Sequence, residues 1–339
     1  MKKYAIIGFG GLGKMHLSNM VKLEKERGDF KLAAICGTTL EEATKSVQIN
    51  LGTVDLSGVD FSSCNFYQDY KEMINKEKLD FVLSVLPTYL HEEVAIYCLE
   101  HGVHVLSEKP MALTLESCER MLKAADKSGK ELMIGQCLRF NPIFKKIKEY
   151  VDTECFGKVY RAEFTRLSQT PLWTWQNWIL DPTQSGGCIL DMHVHDVDLI
   201  NWLFGLPNSL RSTLTERKVK QESVFTQYFY DDFFVTAQAD WSMPQTFPFT
   251  ARCRINFEHA VVTVEDNKLT VYEDRESYFP EISTESDLIE EERAFLELVI
   301  DKKTCDITSA QSVYNSVMLA LTEVESAKQN KVIAIKKSK

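Results

Sequence analysis

The sequence has 339 residues, which exceeds the length at which one hydrophobic core usually keeps growing, so we expect two domains. A composition of 44% hydrophobic and 26% charged residues excludes a disordered or fibrous protein. The formal net charge of -10 argues against nucleic acid or an anionic membrane as a partner, because both require clustered lysine and arginine. No apolar run is long enough to span a bilayer.

Residues 1–137 form the first predicted domain. Short apolar runs alternate with amphipathic runs, which is typical of βαβ units around a parallel sheet. The predicted strands cover residues 4–7, 31–36, 66–67, 81–86, 103–107 and 132–135. The predicted helices cover residues 15–27, 41–48, 70–75, 91–101 and 115–128. The polar segment 49–65, with Gly52 and Gly58, is predicted to be a long surface loop.

Residues 138–339 form the second predicted domain, of the α+β class. From about residue 158 the apolar residues alternate with period two, which favours an antiparallel sheet. The predicted strands cover residues 160–164, 225–229, 233–241, 249–257, 260–264 and 332–335. Helices are predicted over residues 288–300 and 309–328.

A glycine pattern after the first strand predicts a dinucleotide site. Its spacing, Gly-x-Gly-x-x-Gly between an apolar strand and a helix, is the fingerprint of a Rossmann domain. Gly8 permits the tight turn, Gly10 lets the backbone approach a pyrophosphate, and Gly13 allows helix and strand to pack closely. The amides at the helix N-terminus bind the phosphates in such sites. The predicted cofactor loop consists of Gly8, Phe9, Gly10, Gly11, Leu12 and Gly13.

The end of the second strand bears on the choice between NAD and NADP. An acidic residue there would bind the ribose 2′-hydroxyl and repel a 2′-phosphate. The chain instead has Gly37, Thr38 and Thr39, whose hydroxyls suit a phosphate, although no arginine is present to clamp it. Both cofactors therefore remain open, with a slight preference for NADP.

Several further motifs follow in a fixed order along the chain. They are the segment 86–91 (Leu-Pro-Thr-Tyr-Leu-His), the triplet Glu108-Lys109-Pro110, Gly135-Gln136, Arg139-Phe140, and Gly186-Gly187 followed by Asp191, His195 and Asp198. With the glycine fingerprint, they make the chain resemble the glucose-fructose oxidoreductase, inositol dehydrogenase and MocA family. Two departures from the family pattern are Thr88, where asparagine is common, and His193, where glycine is common.

The resemblance implies a Rossmann domain followed by an α+β domain whose large open antiparallel sheet is often used for oligomer contacts. It implies hydride transfer between a nicotinamide and a hydroxyl of a sugar, a cyclitol or a related polyol. The family pattern adds cofactor contacts from residues beyond the glycine loop. These are Leu86, Pro87, His91, Glu108, Lys109 and Gln136. For His91, a capping role at a helix start is the alternative.

Three residues are the predicted catalytic groups. A carbinol carbon releases hydride only if its hydroxyl loses a proton, so the site requires a base and a donor near that oxygen. We expect His195 to be the base, because imidazole titrates in the useful range, Lys109 to be its partner, and Asp191 to orient them. The spacing i, i+4, i+7 predicts that Asp191, His195 and Asp198 share one helix face, with Asp198 in a structural role. The family assigns its matching lysine, aspartate and histidine to catalysis and substrate binding.

Other interpretations of these residues remain open. A metal cluster is one alternative, because aspartate and histidine are common metal ligands and both occur at Asp191, His193, His195 and Asp196. His193 and His195, however, point about 200° apart on a helix, so no metal is predicted. Substrate contacts are predicted for Lys109, Arg139, Trp175, Asp191 and His195. Arg139 meets either an acidic substrate group or a neighbouring carboxylate. The tryptophans at 173, 175 and 178 suit stacking on a sugar, and equally a core or an oligomer contact.

The surroundings of the protein are predicted from its cysteines and its family. Nine scattered cysteines without a Cys-x-x-Cys pair predict reduced thiols in a cytoplasmic protein. A homodimer or homotetramer is expected from the resemblance. Two alternatives to a polyol dehydrogenase are a catalytically silent NAD(P)-binding sensor and a reductase of an imine or a tetrapyrrole-like pigment. The complete lysine, aspartate and histidine set favours the dehydrogenase.

Overall fold

The computed structural model describes residues 1–49, 52–172 and 174–336, and it divides into two compact units. The chain passes from the first unit to the second between Cys137 and Leu138, the same position at which the sequence divides it. The units differ from that division in two respects. The segment Ser286–Gln311 returns to the first unit. The short segment Leu113–Leu115 groups with the second.

The helices and strands have the following bounds in the described chain. The strands are β1 (Lys2–Ile7), β2 (Phe30–Cys36), β3 (Val47–Ile49), β4 (Gly52–Val54), β5 (Asn65–Tyr67), β6 (Phe81–Ser84), β7 (His104–Glu108), β8 (Leu132–Gly135), β9 (Val159–Gln169), β10 (Ser209–Thr215), β11 (Ser223–Phe229), β12 (Phe234–Met243), β13 (Thr250–Phe257), β14 (Val261–Glu265), β15 (Lys268–Tyr272), β16 (Ser277–Tyr278) and β17 (Ile333–Ala334). The helices are α1 (Gly11–Arg27), α2 (Leu40–Ala43), α3 (Tyr70–Lys76), α4 (His91–Glu100), α5 (Leu115–Ser128), α6 (Pro142–Thr153), α7 (Pro182–Ser185), α8 (Val194–Phe204), α9 (Asp287–Val299) and α10 (Ala310–Gln329).

The first unit contains a parallel sheet with the strand order β5-β2-β1-β6-β7-β8. This is the doubly wound order of a Rossmann domain, in which the strand order reverses beside β1 and ligands bind at the carboxyl ends of the strands. The central strands β1 and β6 are almost completely buried, as their continuous apolar runs require. The predicted parallel sheet is confirmed.

One predicted helix of the first unit is much shorter in the structure. Residues 41–48 were expected to be helical, but α2 ends at Ala43. The β-branched residues that follow pair instead as an antiparallel hairpin of β3 and β4. Part of the expected 49–65 loop is therefore strand, while Asn50 and Leu51 lie outside the described residues.

Helix α9 belongs to the first unit because its apolar side packs on that unit. The ring of Phe295 meets Phe81 of β6 edge-on, with centroids 5.7 Å apart. Arg293 forms an ion pair of 2.8 Å with Glu26 of α1. Sequence reasoning placed this helix in the second domain because it follows that domain along the chain.

The second unit contains a sheet with the order β16-β15-β14-β13-β9-β12-β11-β10-β17. Its pairs are antiparallel except for β9 with β12, which run parallel, so the sheet is mixed rather than purely antiparallel. On β12, Val235, Ala237, Ala239 and Trp241 are buried and alternate with half-buried residues. This alternation is that of a sheet with one face covered by helices. No helix of the described chain is long and apolar enough to cross a membrane.

Candidate functional site

The glycine turn after β1 is tightly packed at two of the three fingerprint glycines. A Cβ on Gly8, whose φ is +89°, would lie 2.1 Å from the carbonyl oxygen of Val85. A Cβ on Gly13 would lie 2.3 Å from the oxygen of Gly8. A Cβ on Gly10, in contrast, would meet no atom within 4 Å. Gly8 and Gly13 are therefore required by the turn itself, whereas Gly10 borders open space.

This turn fits the pyrophosphate of a dinucleotide. Gly10 is the N-cap of α1, has no side-chain cap, and is followed by a first turn without acidic residues. The first amides of the helix, from Gly11, Leu12 and Gly13, are thus available as donors beside the open space at Gly10. At the end of β8, the buried side-chain nitrogen of Gln136 has no hydrogen-bond partner among the described residues. Gln136 can therefore donate to a carboxamide or ribose group of a bound cofactor.

The residues after β2 form a polar turn. Gly37 has a φ of +92° and its amide donates to the oxygen of Tyr67. Thr39 is exposed and caps α2 by accepting from the amide of Glu42 at 3.3 Å. The Thr38 hydroxyl donates to the oxygen of Thr39 at 3.4 Å. The two threonine hydroxyls bond within the turn, and both threonines lie just after β2, where the ribose 2′ position is recognised in Rossmann domains.

His91 connects two loops at the carboxyl edge of the first sheet. It is fully buried, and its ring nitrogens lie 2.8 Å from the oxygens of Leu86 and Pro110. Burial lowers the pKa of His91, which favours the neutral ring. Leu86 and Pro87 are half-buried beside it. The side chain therefore holds the loop after β6 against the turn after β7.

Lys109 follows β7 directly and is half-buried. Its bond to Pro110 is cis. The preceding residue, Glu108, points away from solvent toward α1, where its Oε1 lies 2.9 Å from Nε2 of His16. Burial opposes ionisation of Glu108, but the hydrogen bond to His16 and the charges of His16 and Lys109 together outweigh burial and lower the pKa of the carboxyl. Glu108 is therefore an ionised residue held inside the first unit, next to Lys109.

In the second unit, Asp191 and His195 stand out by exposure. Among residues 185–201 only Asp191 and His195 are partly exposed, and all the remaining residues are buried. A segment that is buried on nearly all sides thus presents one carboxylate and one imidazole to the surface. This is the arrangement expected of groups that meet a ligand.

The segment carrying these two residues is not a uniform α-helix. Asp191 lies in a π-turn, Ile189–His193, which runs into α8 at Val194. Because a π-turn winds more widely than an α-helix, the i, i+4, i+7 rule for a regular helix does not apply across it. Asp198 is 1% exposed, whereas Asp191 and His195 are partly exposed. The contacts of Asp198 fit the structural role predicted for it.

Those contacts are with Arg139. The guanidinium Nε and Nη2 of Arg139 donate to the two carboxylate oxygens of Asp198 at 2.7 and 2.6 Å. Ser316 donates to the same carboxylate at 2.7 Å, and Arg139 also donates to Ser312 at 2.8 Å. Arg139 is 1% exposed. This geometry favours the neighbouring carboxylate over an acidic substrate as the partner of Arg139.

The remaining members of the possible metal cluster face different partners. His193 is fully buried and its Nε2 lies 3.2 Å from Oε2 of Glu323. Asp196 pairs with Arg166 through two contacts of 3.0 and 2.8 Å. Among the described residues no group of three or more histidines, cysteines and carboxylates could hold a metal ion.

Of the tryptophans predicted to stack on a sugar, Trp175 is 67% exposed and Trp178 is half-buried. Trp173 lies outside the described residues. An exposed tryptophan suits either a ligand or a partner chain, so the structure leaves both interpretations of Trp175 standing.

Sequence reasoning missed a buried group of ionisable residues in the first unit. His16 of α1 and Glu291 and Glu292 of α9 are each at most 1% exposed. His16 follows the last glycine of the fingerprint by three residues, and the adjacent glutamates interrupt the apolar side of α9. Two charged residues on a buried helix side were the available signal.

The two units together define a Rossmann oxidoreductase with a separate mixed-sheet domain. Residues 2–136 match the family model described as oxidoreductase family, NAD-binding Rossmann fold. Residues 144–263 match the model described as GFO/IDH/MocA C-terminal domain. The chain belongs to the glucose-fructose oxidoreductase, inositol dehydrogenase and MocA family, as its motifs predicted.

Two characterised relatives illustrate the range of that family. Myo-inositol 2-dehydrogenase of Thermotoga maritima is 30% identical over 204 residues, which cover 60% of this chain and 55% of the relative. The 2,7-anhydro-N-acetylneuraminate hydratase of Mediterraneibacter gnavus is 25% identical over 215 residues, which cover 62% of this chain and 51% of the relative. The chain thus spans about half the length of the curated relatives it matches.

A solved structure matches the fold along the whole chain. Levoglucosan dehydrogenase, in complex with NADH and L-sorbose, superposes with a TM-score of 0.83 at 17% identity. The match covers 99% of this chain and 99% of that chain. The two-domain fold is therefore that of a known dehydrogenase structure.

Proposed function

We propose that this chain is an NAD(P)-dependent dehydrogenase that transfers a hydride between the nicotinamide and a CH–OH carbon of a sugar, cyclitol or related polyol. The observation that carries the proposal is the exposure of Asp191 and His195 alone in the buried segment 185–201. The glycine turn and the position of Lys109 at the carboxyl end of β7 support it. The relatives named above are enzymes, and none supports a catalytically silent sensor.

In this proposal each residue has one role. His195 accepts the hydroxyl proton, and the carbon–oxygen bond becomes a carbonyl as the hydride leaves. Lys109 donates a hydrogen bond to the reacting oxygen, and Asp191 binds a substrate hydroxyl or orients the imidazole. The nicotinamide, when bound, supplies the carbon that accepts the hydride. In the reverse direction His195 returns the proton.

A substrate panel with matched variants tests the proposal. Sugars, inositols and their acid derivatives are incubated with NAD or NADP, and reduced nicotinamide is measured by absorbance. We expect turnover of at least one polyol, and a loss of about 10²-fold or more in kcat for His195→Ala and for Lys109→Ala. His259→Ala and Lys127→Ala, both at exposed positions, are the controls and should retain kcat. Near-normal turnover of the first two variants would refute the assigned roles.

We also propose that NADP binds somewhat more tightly than NAD. The support is the absence of a carboxylate at Gly37, Thr38 and Thr39 directly after β2. Fluorescence titration of each dinucleotide measures the two dissociation constants. NAD binding at least tenfold tighter than NADP would contradict this preference.

The uncovered face of the second sheet supports a homodimer or homotetramer. Phe225 is 49% exposed there, and the guanidinium of Arg161 lies 5.6 Å from the ring of Phe234 on the same face. Glu163 accepts from Arg254 at 2.9 Å beside them. Light scattering after size exclusion measures the mass of the assembly. We expect Phe225→Glu to shift it toward the monomer, and a monomeric wild-type chain would contradict the proposal.

The cysteines support a reducing compartment such as the cytoplasm. All nine are free thiols in the structure, and five of them are buried. Burial raises the pKa of several of these thiols, such as Cys98 to about 12, so they stay protonated and unreactive. Fractionation of cells of the source organism would test the location.

A further inference from the structure

Three buried side chains form a hydrogen-bonded chain inside the first unit. Oε1 of Glu292, on α9, lies 2.7 Å from Nδ1 of His16 on α1. Nε2 of His16 lies 2.9 Å from Oε1 of Glu108 at the end of β7. The side chains of Glu292 and His16 are 0% and 2% exposed, and that of Glu108 is 12% exposed. This series of hydrogen bonds thus joins the helices α9 and α1 to the strand β7.

Glu108 uses its two oxygens for two different elements. Oε1 faces His16, while Oε2 accepts from the backbone amide of Lys109 at 3.2 Å. His16 lies on the same helix as Gly13, one turn beyond the glycine fingerprint. One carboxylate therefore connects the helix that begins at the glycine turn with the peptide of Lys109.

The charges of His16 and Glu108 suit a strong hydrogen bond, while burial raises the pKa of the Glu292 carboxyl. Burial alone would lower the pKa of His16, but its hydrogen bonds to Glu108 and Glu292 raise that pKa from 6.5 to about 10. At neutral pH the ring is thus an imidazolium that donates from both nitrogens. Charge-assisted hydrogen bonds of this kind are shorter and about twice as strong as neutral ones.

We propose that Glu292, His16 and Glu108 form a positioning chain that fixes Lys109 relative to the dinucleotide-binding helix. His16 and Glu292 touch no reacting atom in this role. They hold the carboxylate of Glu108, and Glu108 holds the peptide from which the Lys109 side chain extends. The inference rests on the proposed hydride-transfer function, because Lys109 is its proposed donor to the reacting oxygen.

Glu291 provides a matched control beside the positioning chain. It is on the same helix as Glu292 and is also 0% exposed, but neither of its oxygens has a hydrogen-bond partner among the described residues. Burial, with Glu108 nearby, raises the pKa of Glu291 well above its usual value, which favours the neutral carboxyl. Glutamine has nearly the same shape as a protonated glutamate. Glu291→Gln should therefore leave kcat within about twofold of wild type.

Two substitutions of His16 distinguish the hydrogen bond to Glu108 from the imidazole ring that supplies it. His16→Gln keeps one amide donor for Glu108 and should retain kcat within about threefold. His16→Leu removes the link, and we expect kcat to fall about 10²-fold while KM for the dinucleotide changes less than threefold. The polyol is the one that wild type oxidises fastest in the panel above. If His16→Gln loses as much kcat as His16→Leu, the proposal is overturned.

A double variant distinguishes positioning from mere stability. His16→Leu removes the ring that faces both Glu108 and Glu292 and should lower the melting temperature. His16→Leu combined with Glu292→Leu removes the fully buried carboxyl group and should partly restore that temperature, because an apolar pair can replace a polar one at little cost. Under the proposal kcat stays low in the double variant, since Oε1 of Glu108 still lacks the donor that His16 supplies. Recovery of kcat together with the melting temperature would overturn it, as would an equal loss of dinucleotide affinity.

Amide hydrogen exchange at Lys109 supplies a readout that does not depend on activity. The exchange rate is measured by NMR with NADP bound, and we expect it to rise more than tenfold in the double variant and to be unchanged in Glu291→Gln. An unchanged rate in the double variant overturns the positioning chain. If no panel polyol is oxidised while this rate changes as expected, the proposed function fails and the chain of contacts stands.

Discussion

The glycine turn allows a prediction in which two substitutions in the same turn affect different properties: Gly13→Ala lowers stability, and Gly10→Ala weakens dinucleotide binding. In Gly13→Ala the new Cβ lies 2.3 Å from the backbone oxygen of Gly8, so helix and turn must move apart. Overpacking of this kind costs about 1–3 kcal/mol. Gly10→Ala adds a Cβ that meets no protein atom within 4 Å, so the free energy of unfolding should change by less than about 1 kcal/mol, the cost of alanine at an N-cap.

Gly10→Ala, which should barely change the stability of the free protein, should strongly weaken dinucleotide binding. A ligand at one hundred times its dissociation constant stabilises the folded protein by about 2.7 kcal/mol. Gly10→Ala places a methyl group where the pyrophosphate approaches the backbone, so this stabilisation should be lost. Scanning calorimetry of each variant with and without NADP measures both effects. A full ligand-induced rise in Gly10→Ala, or a wild-type melting temperature for Gly13→Ala without ligand, would refute the reasoning.

Two further predictions concern buried ionisable residues. Asp198→Asn leaves the buried guanidinium of Arg139 without its carboxylate and should lower the free energy of unfolding, measured in urea, by about 3 kcal/mol. The control Asp152→Asn, on an exposed residue, should change the free energy of unfolding by less than about 1 kcal/mol. Equal losses in the two variants would contradict this prediction. His104, whose Nδ1 accepts from the amide of Glu131 at 2.9 Å, has its pKa lowered by burial and nearby lysines from 6.5 to about 4. The unfolded chain therefore takes up this proton first, so wild type should lose about 1–2 kcal/mol of stability as the pH falls from 7 to 4. His104→Gln should lose less over the same interval, and an equal loss would show that His104 is not the cause.

Local patterns predicted the parts of the fold that depend on nearby residues. The Gly-x-Gly-x-x-Gly spacing and the apolar runs of β1 and β6 depend only on neighbours along the chain, and the structure has them as predicted. Strand β10 was missed because its sequence, SLRSTLT, has few apolar residues to mark the alternation. The hairpin of β3 and β4 was missed because its polar surroundings are typical of a loop.

Features that depend on distant partners could not be predicted in the same way. The membership of α9 in the first unit depends on Phe295 finding Phe81, more than 200 residues away in the sequence. The π-turn at Ile189–His193 changes the helical phase, which no spacing rule for α-helices anticipates. The positioning chain depends on three elements that meet only in the folded domain. Candidate ligand-binding side chains were therefore easier to identify than the buried groups that hold them.

The most direct test of the central claim follows the hydride itself. A panel polyol that is deuterated at the reacting CH–OH carbon is incubated with the protein and oxidised dinucleotide, and the reduced nicotinamide is analysed by mass spectrometry. The account predicts that wild type transfers the deuterium to the nicotinamide, and that His195→Ala does so at least about 10²-fold more slowly. Binding of the dinucleotide without transfer from any polyol of the panel would contradict it.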